Sequence, residues 1–282
     1  MDNQTVVYGV IGDPIRHTKS PIMLNRAFRE TGVNGAYAAF HVTPDRLEAA
    51  IGGIRALGFR GLNVTIPHKV AVMTWLDEID EGARAIGAVN TIVNENGRLI
   101  GYNTDGIGYV RSLKEEAEPE LAGRRIVVLG AGGAARGIVW ALARELPASV
   151  KIANRTWDKA RDLAASLGGD GGPVSAIRWE DLRDACGEAD VVVNTTSVGM
   201  SPNVDDTPID PAWLKPGAVA SDLIYNPLVT AFLRGARERD CRIHGGLGMF
   251  VYQGAYAFEY WTGLPAPVAA MRDEVLASFS GK

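Results

Sequence analysis

The sequence predicts an α/β protein of two domains, each built on a mostly parallel sheet, with a cleft between them. Three observations predict this class. Strand-length apolar runs alternate with helix-length segments, the alternation restarts near Arg124, and a glycine-rich turn opens the second series. Residues 6–11 read as the first strand, and residues 21–31 as a helix with Pro21 at its start and Gly32 at its end. A strand over 36–42, a helix over 44–57 and a strand over 61–66 follow. A helix is expected from His68 to about Asp77. Residues 88–93 and 98–101 read as the arms of a hairpin around Glu95-Asn96-Gly97.

The second series starts with a strand over 125–129, a helix over 134–146, a strand over 150–154 and a helix over 157–167. Gly-rich residues 168–173 make a loop, and a short strand is expected near Ile177. Further strands cover 190–194 and 218–223, and residues 249–261 and 268–279 read as helices. Two helices alone make a poor domain, so the chain from 240 onward is expected to pack back on the first one. The expected domains are therefore 1–104 plus 240–282, and 105–239.

Composition narrows the function classes. The chain has 282 residues, 46% of them hydrophobic, enough for a substantial core. Its net charge of −4 gives no basic footprint for nucleic acid. No 18-residue apolar run exists to span a membrane, and the first residues lack a signal-peptide pattern, so a cytoplasmic location is expected. Cys186 and Cys241 match no Cys-x-x-Cys spacing and are expected to be reduced. His17, His41, His68 and His244 show no ligand spacing, and no metal is expected.

The glycine-rich turn reads Gly130-Ala131-Gly132-Gly133-Ala134-Ala135-Arg136-Gly137, between an apolar run and a helix. Gly130 allows the tight turn, Gly132 admits a pyrophosphate close to the backbone, and Ala135 keeps helix and strand close. This is the phosphate-binding element of a Rossmann-type dinucleotide fold. At the end of the next strand stand Asn154, Arg155 and Thr156, followed by Lys159. An NAD-binding fold places an acid there for the ribose hydroxyls, whereas two cations suit a 2′-phosphate. NADP is the expected cofactor.

The first domain carries polar groups at its expected strand ends. Thr18 and Ser20, two apart, can present hydroxyls to one carboxylate, and Ser20 also suits a helix N-cap before Pro21. In Asn63-Val64-Thr65-Ile66-Pro67-His68-Lys69, alternation sets Asn63 and Thr65 on one strand face. Lys69 is expected in a first helical turn, where its ammonium is disfavoured and tuned toward proton transfer. The competing reading is a solvated surface lysine. Asn90 adds an amide and Asp105 a carboxylate, with helix capping the competing role for Thr104 and Asp105.

These blocks together resemble the shikimate dehydrogenase family. The resemblance rests on Ser20-Pro21, the Asn63–Lys69 block, Ala88-Val89-Asn90-Thr91, Asn103-Thr104-Asp105-Gly106 and the glycine turn. It continues through Asn154-Arg155-Thr156, the 194–200 block, Asp222–Pro227 and the 246–255 block, in family order. It implies reversible reduction of 3-dehydroshikimate to shikimate with NADPH by a monomer or homodimer. It also implies Lys69 as catalytic lysine with Asp105 as its partner. Thr18, Ser20, Thr65, Asn90, Asp105, Tyr225 and Gln253 match substrate positions. Gly130, Ala131, Gly132, Gly133, Ala134, Asn154, Arg155, Thr156, Lys159, Leu223 and Gly246 match cofactor positions. Thr18 departs from the family's usual serine, adding a methyl that bears on the choice among shikimate, quinate and aminoshikimate. Against enzymes of these three kinds stands a non-catalytic cofactor-sensing domain, for which intact Lys69 and Asp105 have no use.

Overall fold

A computed structural model describes residues 1–168 and 171–280, so residues 169 and 170 of the expected 168–173 loop lie outside the described residues. The chain divides into two compact units, residues 1–104 with 251–282, and residues 105–250.

The first unit contains β1 (Val6–Gly12), α1 (Ser20–Thr31), β2 (Gly35–His41), α2 (Leu47–Leu57), β3 (Gly61–Val64), β4 (Glu78–Ile79), α3 (Glu81–Ile86), β5 (Thr91–Glu95) and β6 (Arg98–Tyr102). Its sheet runs β2-β1-β3-β5-β6-β4. The β1–β2, β1–β3 and β4–β6 pairs are parallel, and β3–β5 and β5–β6 are antiparallel. Asn96 and Gly97 both have positive φ, 54° and 95°, which is what a two-residue hairpin turn demands between β5 and β6. One face of α2 buries Leu47, Ile51 and Ile54 against Ile11, Leu62, Val64, Ile92 and Leu99. Each such side chain contributes on the order of 1.5–3 kcal/mol.

The second unit contains α4 (Asp105–Glu116), β7 (Arg125–Leu129), α5 (Gly133–Ala143), β8 (Ser149–Ala153), α6 (Trp157–Gly168), β9 (Val174–Ala176), α7 (Leu182–Glu188), β10 (Val191–Asn194), β11 (Val219–Asp222), α8 (Ala231–Arg237) and β12 (Arg242–His244). Its sheet is parallel throughout, in the order β12-β11-β10-β7-β8-β9. Both faces are covered. Ile126, Val128, Val191 and Val193 belong to one core and Val127, Leu129, Val192 and Ala220 to the other, hence the uninterrupted apolar runs. The order reverses at β7 and β10, the place where open α/β sheets bind ligands. Two further helices, α9 (Gly246–Thr262) and α10 (Val268–Ser280), end the chain.

Four expectations need correction. The return to the first unit occurs at 250/251, not 240, because β12 pairs with β11 and its His244 bonds Ser112 and Ser221 inside the second unit. From there Trp261 anchors the chain in the first unit. Its indole donates to the Ile92 carbonyl at 2.9 Å and lies where any side chain on Gly61 would collide. The helix expected over 68–77 is only a 3₁₀ segment, Ala71–Trp75, because the Lys69 carbonyl is taken by the Val89 N–H at 2.8 Å. Lys69 therefore occupies a turn, and the helix-terminus argument for it does not apply. Ser20 is not an N-cap either. It is already helical, Lys19 stands at the cap position, and the Ser20 N–H donates to the Thr18 hydroxyl at 3.2 Å. Strand β8 stops at Ala153, which leaves Asn154 in the loop that follows.

Among the described residues no helix is long and apolar enough to cross a membrane. No group of three or more His, Cys, Asp or Glu among them could hold a metal ion.

Candidate active site

In the first unit the candidate residues gather at one end of the interior strands of the sheet. Thr18 and Ser20 follow β1, Thr65 and Lys69 follow β3, and Asn90 precedes β5. Because β5 runs against β3, with Asn63 paired to Thr91, its beginning lies beside the end of β3. Three backbone bonds lock this corner. Thr65 N–H donates to Ile11 O at 3.0 Å, Val64 N–H to Asn90 O at 2.8 Å, and Val89 N–H to Lys69 O. The Thr65 methyl packs on Gly12, where no side chain fits.

A hydrogen-bonded chain links the hydroxyl pair to the amide. Thr18 Oγ1 donates to Ser20 Oγ at 3.1 Å, and Ser20 bonds the buried Tyr37 hydroxyl. Tyr37 donates to Asn63 Oδ1 at 2.7 Å, and Asn63 Nδ2 donates to Thr91 Oγ1 at 3.1 Å. Thr91 donates to Asn90 Oδ1 at 3.0 Å, and Asn90 Nδ2 to Thr104 Oγ1 at 2.9 Å. Burial pushes the Tyr37 hydroxyl well above its ordinary titration range, so it stays protonated and serves as a fixed donor. Buried polar side chains without partners are costly, and here each finds one. Sequence reading did not single out Tyr37, and it weighed Thr104 only between a helix cap and a part in the chemistry. A tyrosine inside an apolar strand reads as core, and only the polar Asn63, on β3 across β1 from Tyr37, hints at a use for its hydroxyl. Gln253 also belongs to this unit, on α9.

In the second unit, Asp105 is the buried first residue of α4, where a carboxylate complements the helix N-terminus. Gly130 has φ 108° and a would-be side chain there would strike Thr195, so glycine is required. Gly132 and Gly133 face open space, α5 starts without a side-chain cap, and Ala131 and Ala134 flank them. The first intrahelical bond is Arg136 N–H to Gly132 O, and the N–H groups ahead of it have no helical acceptor. That arrangement is an anion cradle at the reversal point of the sheet. Asn154 bends its side chain onto the Thr156 carbonyl at 2.9 Å, shaping the loop after β8. Arg155 and Lys159 are exposed and form no ion pair among the described residues, while Asp158 and Asp162 are taken by Arg161. These features fit a dinucleotide carrying a 2′-phosphate.

Beyond β10 and β11 a second polar knot shapes the cradle. Thr195 donates to the Leu129 carbonyl at 2.7 Å. Asp222 accepts from Asn194 Nδ2, the Ile224 N–H and the Thr230 hydroxyl, tying three segments together. Gly246 packs so tightly on the Leu223 carbonyl that no side chain fits between them. Tyr225 stacks on Phe250 with ring centroids 4.5 Å apart. Sequence reading included Asp222 in a family block but gave it no role, since an acid at a strand end carries no local mark of burial.

Desolvation outweighs the three donors and lifts the Asp222 carboxyl to about 6. A raised folded value means that the native state holds this proton more tightly than the unfolded chain. The resulting stability is fully present below about pH 4 and is lost as pH rises through about 6, roughly 3 kcal/mol in all. Asp222→Asn should therefore gain thermal stability relative to the wild type between about pH 4 and pH 7. A pH-independent gap between the two melting temperatures would contradict this assignment.

Comparison with known proteins adds to the geometry. A family model described as "Shikimate dehydrogenase substrate binding domain" matches residues 10–92. One described as "Shikimate / quinate 5-dehydrogenase" matches residues 112–204, and one described as "Shikimate 5'-dehydrogenase C-terminal domain" matches residues 246–276. A curated shikimate dehydrogenase (NADP(+)) from Moorella thermoacetica is 52% identical over 98% of this chain and 94% of its own. A crystal structure of a shikimate dehydrogenase in complex with NADP+ is 42% identical, with TM-score 0.94 over 99% of this chain and 97% of that one. The Thermus thermophilus shikimate 5-dehydrogenase, solved with NADP(H) and shikimate, is 34% identical, with TM-score 0.88 over 97% of this chain and 99% of that one.

Proposed function

Because the chain belongs to the shikimate dehydrogenase family, we propose that it catalyses the reversible NADPH-dependent reduction of 3-dehydroshikimate to shikimate. The observation that carries this reading is the 52% identity to an enzyme of that name over nearly the whole chain.

The proposed roles follow from the chemistry of the residues. The cradle of Gly130, Ala131, Gly132, Gly133 and Ala134 takes the pyrophosphate, and Asn154, Arg155, Thr156 and Lys159 take the adenosine end with its 2′-phosphate. Leu223 and Gly246 border the remaining half. Bound NADPH supplies the reducing equivalent to the substrate carbonyl carbon. Lys69 gives a proton to the carbonyl oxygen and recovers it from the hydroxyl in the reverse direction, with Asp105 as its partner. Thr18 and Ser20 hold the substrate carboxylate, and Thr65, Asn90, Tyr225 and Gln253 hold its remaining polar groups.

Purified protein given 3-dehydroshikimate and NADPH should consume both in equal amounts and yield shikimate. Cofactor binding without consumption would contradict the proposal and favour the sensing domain. The second reading, a quinate/shikimate or aminoshikimate dehydrogenase, draws on Thr18, whose methyl enters the hydroxyl pair. Thr18→Ser removes that methyl and keeps the hydroxyl, so the shikimate-to-quinate ratio of kcat/KM should shift if Thr18 sets preference. An unchanged ratio would remove Thr18 as the determinant.

The proposal includes a cytoplasmic enzyme, monomeric or homodimeric, with no nucleic-acid partner. Cys186 and Cys241 are free and buried, as a reducing compartment allows. Sedimentation of the purified protein reads the oligomeric state.

A further inference from the structure

Past the end of β8, the register of the sheet brings one more cation to the loop that carries Arg155. Strands β8 and β9 pair in parallel, with Val150 opposite Val174 and Ile152 opposite Ala176. The pairing continues one residue beyond β9, since the Ile177 N–H donates to the Ile152 carbonyl at 2.9 Å. By that register Arg178 stands alongside Asn154, one residue from Arg155. Its guanidinium carbon lies 4.1 Å over the ring of Trp157, the first residue of α6.

The stack is informative because Arg178 has carboxylates close in sequence and uses none of them. Glu180 and Asp181 follow it within three residues, yet neither forms an ion pair with it among the described residues. A guanidinium laid on an indole has a fixed plane and keeps its N–H edge available for a planar, bidentate grip on an oxyanion. Arg155, in the loop after β8, and Lys159, in the first turn of α6, are likewise unpaired with any carboxylate among the described residues. Three cations thus stand where β8 and β9 end and α6 begins, none of them paired with a carboxylate among the described residues, and the Trp157 indole orients one of the three.

We propose that Arg178, held on Trp157, is a specificity-determining residue that grips the 2′-phosphate of the cofactor together with Arg155 and Lys159. The proposal rests on the reading of this loop as the adenosine end of an NADP site. Arg178 supplies the oriented N–H edge, whereas Arg155 and Lys159 supply charge from the β8 side. Trp157 acts through Arg178 and is a positioning residue.

The test uses the full-length protein and two fragments of the cofactor, 2′,5′-ADP and 5′-AMP, with Kd read by calorimetry. Only the first carries the 2′-phosphate. Arg178→Ala should weaken 2′,5′-ADP about tenfold or more while changing 5′-AMP much less, so the ratio of the two Kd values collapses toward one. Arg178→Lys keeps the charge without the plane and should lie between, and Trp157→Leu should lower the ratio with Arg178 still present. A Kd ratio in Arg178→Ala within twofold of the wild type would overturn the proposal, because a merely structural arginine leaves that ratio alone. Arg155→Ala serves as the control on the underlying reading. If it also leaves the ratio unchanged, or if wild type shows no preference for 2′,5′-ADP, the loop is not the 2′-phosphate site and both readings fall together.

Discussion

Lys69→Ala should lower kcat by ~100- to 10,000-fold, the contribution expected of a positioned proton donor and acceptor. The change in KM for shikimate should be much smaller, and NADP binding should scarcely move. The reduction cannot be completed unless the substrate oxygen receives a proton, and the oxidation cannot begin unless it loses one. A group acting only in that transfer is felt in kcat. If Lys69 and Asp105 act as one unit, their losses will not multiply, and the double mutant will be scarcely worse than the worse single one. Strictly multiplicative losses would separate the two residues. A Lys69→Ala enzyme retaining most of its kcat would remove Lys69 from the proton path and leave another group, Tyr225 among them, to handle the proton.

The second large effect is on cofactor choice. Arg155→Asp should weaken NADP by about 10- to 100-fold or more, since it deletes a charge-assisted contact and places a like charge beside the 2′-phosphate. NAD lacks that phosphate and should be affected little, so the NADP-to-NAD ratio of kcat/KM is the quantity to measure. Loss of both cofactors in parallel would mean that Arg155 shapes the loop instead of reading the phosphate. Arg155 is exposed at the loop surface, so its substitution leaves the core untouched, and thermal melting of the variant checks this.

How far the sequence was legible depends on where each residue finds its partners. Strands β7 and β10 stand out as unbroken apolar runs because both of their faces are buried, and burial on two faces is written in composition. Gly130 is legible because the positive φ it adopts belongs to glycine chemistry. The segment after β3 is not. Its helical pattern is overruled by a backbone bond from Val89 to Lys69, and nothing within the segment records that distant partner. The roles of Thr18 and Ser20 invert for a related reason. Sequence spacing makes Ser20 a cap, but Tyr37 claims its hydroxyl from another strand, and the Thr18 oxygen receives the Ser20 N–H instead. Strand β12 is only three residues long and carries His244, whose two serine partners come from α4 and β11. Short strands held by side-chain bonds give no periodic signal, and the boundary near residue 250 was misplaced with it.

The central claim is that this chain is an NADP-linked dehydrogenase acting on shikimate. Its most direct test is a four-way comparison of kcat/KM, shikimate and quinate each with NADP and with NAD. The account predicts the highest value for shikimate with NADP, and a larger fall on replacing NADP by NAD in the wild type than in the Arg155→Asp variant. Quinate with NAD as the best pair would contradict it.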